Sequence, residues 1–340
     1  MTQDPTLNAD PNIPRDHAAC AAPTGSPYTS DTLSAHSVAP MHSESNDAAP
    51  SDAGTDAIAR SDTLALYRWA VQDPETHAVV LRLMYQQLRP GRHPVVLRED
   101  FAGTSAESVA WVALKPGRRA FAIDLDPHTL AWAESRANRL LGPRSSGVTF
   151  VEGDAISIAP PRVPPADILS VLNFSILYLR EATQLRAYLR NALEGLSPDG
   201  VLVLNTFGGP DALRPGTTRH RVNPSPRLAS EPPIPAFEYQ WEVRSFNAVS
   251  RLLDCRIHFT VPGATKTPGH EIRDAFQYNW RLWSTAELMH ACTAAGFSNV
   301  QVWRHTYDPT KGAAGVFLGS VDPRTLETLS TWTAYVVASR

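Results

Sequence analysis

The sequence predicts a doubly wound α/β fold with an antiparallel β subdomain inserted late in the chain. Three observations predict it. From residue 94 onward, short apolar, β-rich runs alternate with helical patterns, the mark of a parallel sheet covered on both faces. Residues 206–283 replace that rhythm with alternating runs rich in aromatics, which suit an antiparallel sheet. Residues 1–60 carry eight acidic residues, two arginines and seven prolines, too little apolar surface to offset ordering entropy. The division is therefore a disordered tail, 1–60, and one large domain, 61–340, with 206–283 as its insertion.

Two amphipathic helices are expected first, hinged at Asp73-Pro74, where an Asp cap precedes a proline in the first turn. The spacing then predicts strand 94–98, helix 104–114, strand 120–124, a helix from Pro127 capped by Asp126, and strands 148–152 and 167–172. Helix 181–196 ends in the turn Ser197-Pro198-Asp199-Gly200, followed by strand 201–205. A proline- and arginine-rich loop fills 208–235 before runs at 237–243, 252–259 and 274–283. Helix 285–295, capped by Ser284, and strands 300–305 and 332–339 complete the fold.

Bulk composition narrows the function classes. The net charge is −3, and the tail holds −6 of it, so the remainder is only +3. That balance argues against nucleic acid as partner. Arg214, Arg219, His220, Arg221 and Arg227 do make the 208–235 loop locally basic. Cys20, Cys255 and Cys292 form no CxxC pair, so neither a disulfide framework nor a metal site is expected. No apolar run approaches the roughly 18 residues of a membrane helix. A cytoplasmic protein is the reading, its oligomeric state left open.

Chemistry concentrates where the first strand turns into its helix, Glu99-Asp100-Phe101-Ala102-Gly103-Thr104-Ser105. Ligands of doubly wound sheets lie at such strand ends. A pyrophosphate-binding turn needs three glycines; here Phe101 and Ser105 flank a lone Gly103 amid acids, which repel phosphate. The site suits a cationic, phosphate-free nucleoside instead. Asp124 follows Gly103 by 21 residues, the spacing of a carboxylate that binds ribose hydroxyls. Asp154, after the third strand, is placed to meet an adenine amino group, and Glu99 to pair with an ammonium group.

These residues carry a resemblance. Val71-Gln72-Asp73-Pro74-Glu75, Leu97-Arg98-Glu99-Asp100-Phe101-Ala102-Gly103-Thr104, Asp124-Leu125-Asp126-Pro127, Asn173-Phe174-Ser175 and Phe276-Gln277-Tyr278-Asn279-Trp280-Arg281-Leu282-Trp283 resemble class I S-adenosylmethionine (SAM)-dependent methyltransferases. Within them, the patterns are similar to a bacterial and lower-eukaryotic group carrying VQDPE, LREDFCGT, DLDP, NFS and WRLW. The resemblance implies a seven-stranded Rossmann-like sheet with an antiparallel last strand and SAM as cofactor. It implies cofactor contacts at Glu99, Gly103, Asp124, Asp154 and Ala155, with Phe101, Leu125 and Asn173 beside them. Ala102 replaces the group's usual cysteine, and Asn205 stands where an aspartate is frequent.

Methyl transfer is an in-line displacement that needs positioning more than a general base. Asn173 is the candidate to orient an acceptor through its amide oxygen; the plain alternative is a strand-end asparagine bonded to backbone. Tyr67 and Gln72 are candidate lid residues, and Tyr278, Trp280 and Arg281 candidate acceptor contacts. Their plain alternatives are a packed helix and the core of the small sheet. The expected partner is a small-molecule acceptor. Alternatives of other classes are a SAM-binding sensor without catalysis, an RNA methyltransferase and a nicotinamide dehydrogenase, the last disfavoured by the missing glycines.

Overall fold

The computed structural model describes residues 60–340 apart from 159–160, 225–230, 232–233, 264–268 and 308–315. The expected disordered tail, all but Arg60, and Arg227 lie outside the described residues. Helices α1 (Arg60–Val71) and α2 (Pro74–Leu88) precede the first strand, and the side chain of Asp73 caps α2 through Thr76 N as its position before Pro74 dictates.

The parallel strands are β1 (Val96–Asp100), β2 (Arg119–Asp124), β3 (Val148–Glu152), β4 (Ala166–Val171) and β5 (Leu196–Gly208). Between them run α3 (Ala106–Leu114), α4 (Pro127–Leu141) and α5 (Ala182–Glu194). After the insertion come α6 (Thr285–Ala295), β10 (Asn299–Tyr307), β11 (Val316–Val321) and β12 (Trp332–Ser339). The main sheet has the order β11-β10-β12-β5-β4-β1-β2-β3. Its seven expected strands are present, β12 running antiparallel to both β5 and β10, and β11 extends the edge by one more.

Period-two alternation divides each central strand between two hydrophobic clusters. Ile168, Val201, Val203, Tyr335 and Val337 face the cluster of α2 and α3, while Leu169, Val171, Leu202, Leu204 and Val336 face that of α1 and α5. Two strands outrun their sequence signal. β1 continues through Glu99 and Asp100 because both carboxyls find buried partners. β5 begins at Leu196, with the register against β4 shifting where Ser197 to Gly200 bulges out.

The insertion forms a second sheet of β6 (Gly216–Val222), β7 (Phe237–Phe246), β8 (Leu252–Val261) and β9 (His270–Arg281), antiparallel throughout. Sequence reading treats 216–222 as loop, since its exposed Gly-Thr-Thr-Arg-His-Arg run has no apolar alternation. As an edge strand it buries no face and needs only its bonds to β7. Arg219, His220 and Arg221 are accordingly solvated.

Candidate functional site

The β1–α3 turn takes up the backbone of a glycine fingerprint without its glycines. Phe101, Gly103 and Ser105 all have positive φ, 56°, 48° and 52°. Two residues with side chains therefore hold conformations that cost them roughly 1–2 kcal/mol each. The turn is over-determined by its neighbours: Ala102 N donates to Ile123 O at 2.9 Å, and Gly103 N to Asp124 Oδ2 at 2.7 Å. Ser105 is fully buried, and its side chain makes no cap bond to α3. Replacing it with glycine is expected to stabilise the chain by about 0.5–1 kcal/mol in urea unfolding, the relief of strain exceeding the added chain entropy.

Asp124 ends β2 with both oxygens engaged, Oδ1 accepting from Asp126 N at 3.0 Å. Burial pushes its carboxyl above the ordinary value, against the pull of the Asp126 and Gly103 amides. It lines a cleft with Phe101, Ile123, Leu125, Gly153 and Ala155. Four predicted residues, Phe101, Asp124, Leu125 and Ala155, thus meet in one place, with Ile123 and Gly153 unforeseen. Asp154 stands between two lining residues; it is exposed, and its Oδ1 accepts from Ile156 N. Asn191 on α5 fixes Ala155 by donating to its carbonyl oxygen at 3.0 Å. Asp126 is the α4 cap, accepting from His128 N.

A second group of polar residues closes the other side of the turn. Thr104 Oγ1 donates to Gln72 Oε1 at 2.5 Å, which ties the α1–α2 hinge to the site and leaves Gln72 Nε2 buried without a hydrogen-bond partner among the described residues. Asn173, after β4, donates from Nδ2 to Glu107 Oε1 at 3.3 Å, so its Oδ1 is a buried acceptor likewise lacking a partner. Asn173 and Phe174 have φ of 53° and 62°. Asn205 holds this strained turn by accepting from Phe174 N at 2.7 Å, which gives the residue a structural use.

The aromatic candidates for the lid and the acceptor contacts are buried. Tyr278 and Trp280 have no exposed surface, Tyr67 only 1%. Their rings pack with Tyr178, Trp241, Phe207 and Phe276. Burial first, and then Tyr278, Tyr178 and Tyr239, push the Tyr67 hydroxyl well above its usual range, so it stays a donor. The Trp-Arg-Leu-Trp run ties the two sheets together: Trp283 Nε1 donates to Leu179 O, and Thr206 Oγ1 to Trp283 O. Arg281 lies 3.8 Å over the Trp283 ring, with its guanidinium 3.4 Å from Glu287.

Sequence reasoning counted Glu107 among the acids around the turn but missed its pairing, and it missed His77, Arg98 and Tyr188. Each has its partner on a distant element, and no local spacing announces such pairs. Among the described residues, Glu242, His258 and Asp274 come close enough to hold a metal ion, but their hydrogen bonds run to one another and to Arg244.

No protein-family model and no curated protein sequence matches the chain. Solved structures do. DesVI from Streptomyces venezuelae aligns with a TM-score of 0.59 at 17% identity, covering 83% of this chain and 99% of its own. The SAM-bound amino pentose methyltransferase CalS10 from Micromonospora echinaspora aligns at 0.55 and 18%, covering 81% and 95%. The sugar N-methyltransferase KedS8 from Streptoalloteichus sp. aligns at 0.55 and 18%, covering 88% and 99%. At such identities the likeness speaks for architecture, and by it the chain has the Rossmann-like methyltransferase fold with an added antiparallel sheet.

Proposed function

We propose that the chain is a SAM-dependent methyltransferase acting on a small-molecule acceptor. The observation that carries this reading is the character of the cleft at the ends of β1, β2 and β3. It presents a buried acid, Asp124, and no lysine or arginine among its lining residues. Such a cleft gives a phosphate nothing to bind and suits a nucleoside that bears positive charge. Asp124 would take the ribose hydroxyls, while Phe101, Leu125, Gly153 and Ala155 would flank the base, with Asp154 at its rim. The spare donor of Gln72 and the spare acceptor of Asn173 match the carboxylate and ammonium of an amino-acid end. When bound, SAM supplies a methyl group on a cationic sulfur, ready for displacement by a nucleophile.

On the acceptor side, the buried rings of Tyr67, Tyr278 and Trp280 would shape the pocket from behind rather than touch the acceptor, with the half-buried Arg281 at their edge. CalS10 and KedS8, by their descriptions, methylate an amino pentose and a sugar nitrogen. A small polar acceptor of that kind is the substrate class we favour. The test is incubation of the chain with isotopically labelled SAM and, in parallel, a small-metabolite extract and total RNA. Transfer of label to a low-molecular-weight product is expected; SAM binding without any transfer would leave a sensor, and transfer to RNA alone would overturn the acceptor class.

A further inference from the structure

Two glutamates meet beneath the β1–α3 turn, and only one of them has a histidine against it. Glu99 is 5% exposed and Glu107 not at all. Glu99 Oε2 accepts from Ser108 N at 2.8 Å and from Ser108 Oγ at 2.5 Å. Glu107 Oε1 takes His77 Nδ1 at 3.0 Å and Asn173 Nδ2 at 3.3 Å. Glu107 Oε2 has no hydrogen-bond partner among the described residues, and Glu99 is bonded to Ser108, the residue that follows Glu107, so the two carboxyls adjoin. Two carboxylates facing each other out of water cannot both ionise at neutral pH; a shared proton removes the repulsion and supplies the missing donor.

The surroundings decide which acid keeps the proton. The pair is faced by His77 from α2, Asn173 from the β4 turn, Ser108 from α3 and Tyr67 from α1. The imidazole lies against Glu107, and Glu99 has only neutral donors. We propose that Glu107, rather than Glu99, carries the negative charge that favours a cationic methyl donor, with Glu99 held as the neutral acid bonded to it. The electrostatics agree: burial and the adjacent Glu107 hold Glu99 well above the carboxylate range, whereas the bond and charge of His77 outweigh burial and keep Glu107 below it. Glu107 acts through space and through Asn173, whose amide it orients with Oδ1 turned away. It is therefore a positioning residue, and this assignment rests on the SAM reading above.

Calorimetric titration of SAM and S-adenosylhomocysteine into the unmutated, Glu99→Gln and Glu107→Gln chains tests it. Glutamine at position 99 reproduces a neutral acid, its oxygen accepting from Ser108 and its nitrogen donating to Glu107. Glu99→Gln is expected to change SAM affinity by less than about threefold, whereas Glu107→Gln weakens it by about tenfold or more. S-adenosylhomocysteine, lacking the sulfonium charge, loses less in Glu107→Gln than SAM does. The reverse ranking of the two variants, or equal losses of both ligands in Glu107→Gln, overturns the assignment. Should Glu107→Gln not fold, Glu99→Gln decides alone: retained SAM affinity supports the assignment, and a tenfold loss at unchanged Tm overturns it. If the unmutated chain binds neither ligand, the functional reading itself fails and this assignment falls with it.

Discussion

Arg98→Ala is expected to cost about 3–5 kcal/mol of stability at pH 7, as breaking one side of a buried ion pair does. Arg98 and Asp100 are each 1% exposed, and Arg98 Nε donates to Asp100 Oδ1 at 2.8 Å. Tyr188 completes the group by donating to Asp100 Oδ2 at 3.0 Å. Gly195 lies so close that a Cβ there would stand 2.7 Å from Arg98 Nη1, so the guanidinium is walled in by α5's end. Truncating Arg98 leaves Asp100 with a single neutral donor in the core. Replacing both charges by apolar groups, as in Arg98→Met with Asp100→Leu, is expected to cost much less than the single change, because no orphaned charge remains.

The pH dependence follows in sign. Burial raises the Asp100 carboxyl above its ordinary 3.8, against the pull of Arg98. A raised carboxyl favours the folded state fully below the unfolded value, and that advantage is lost as pH rises through the folded one. The Arg98→Ala penalty should therefore shrink as pH falls and Asp100 takes up a proton. Urea unfolding at pH 7 and pH 5 reads both effects. A loss under about 1 kcal/mol at pH 7 would mean that the pair is solvated and does not belong to the core.

How much of this was legible in the sequence depended on how local the cause is. The caps of α2, α4 and α6 were legible because Asp73, Asp126 and Ser284 bond donors within three residues of themselves. The strands β3 and β12 were legible because each is a short run rich in apolar and β-branched or aromatic residues. β6 was not, since an exposed edge strand is held by main-chain bonds that leave no trace in side-chain pattern. In the site, Phe101 and Ser105 read as missing glycines and therefore as a departure from the fingerprint. Their positive φ angles show the same turn bent in the same way, with Phe101's ring now part of the cleft wall. The sequence could count the acids around that turn, but which of them is paired was set by contacts 30 to 88 residues apart, His77 with Glu107 and Tyr188 with Asp100.

The second large effect concerns Asp124. It is the one acid that reaches both the turn and the cleft, so its removal is expected to affect ligand affinity before it affects the remainder of the sheet. A hydrogen bond to a charged carboxylate contributes about 1.5–3 kcal/mol, roughly a 10- to 150-fold change in Kd. Asp124→Ala deletes the carboxylate and frees the Gly103 amide; Asp124→Asn keeps the volume and an acceptor while removing the charge, and should fall between Asp124→Ala and the unmutated chain.

Isothermal titration of SAM into the unmutated chain and into Asp124→Ala tests the central claim most directly. The expected result is saturable binding by the unmutated chain, weakened by at least about tenfold in Asp124→Ala. Absence of binding to the unmutated chain, or equal affinity in the two, would contradict it.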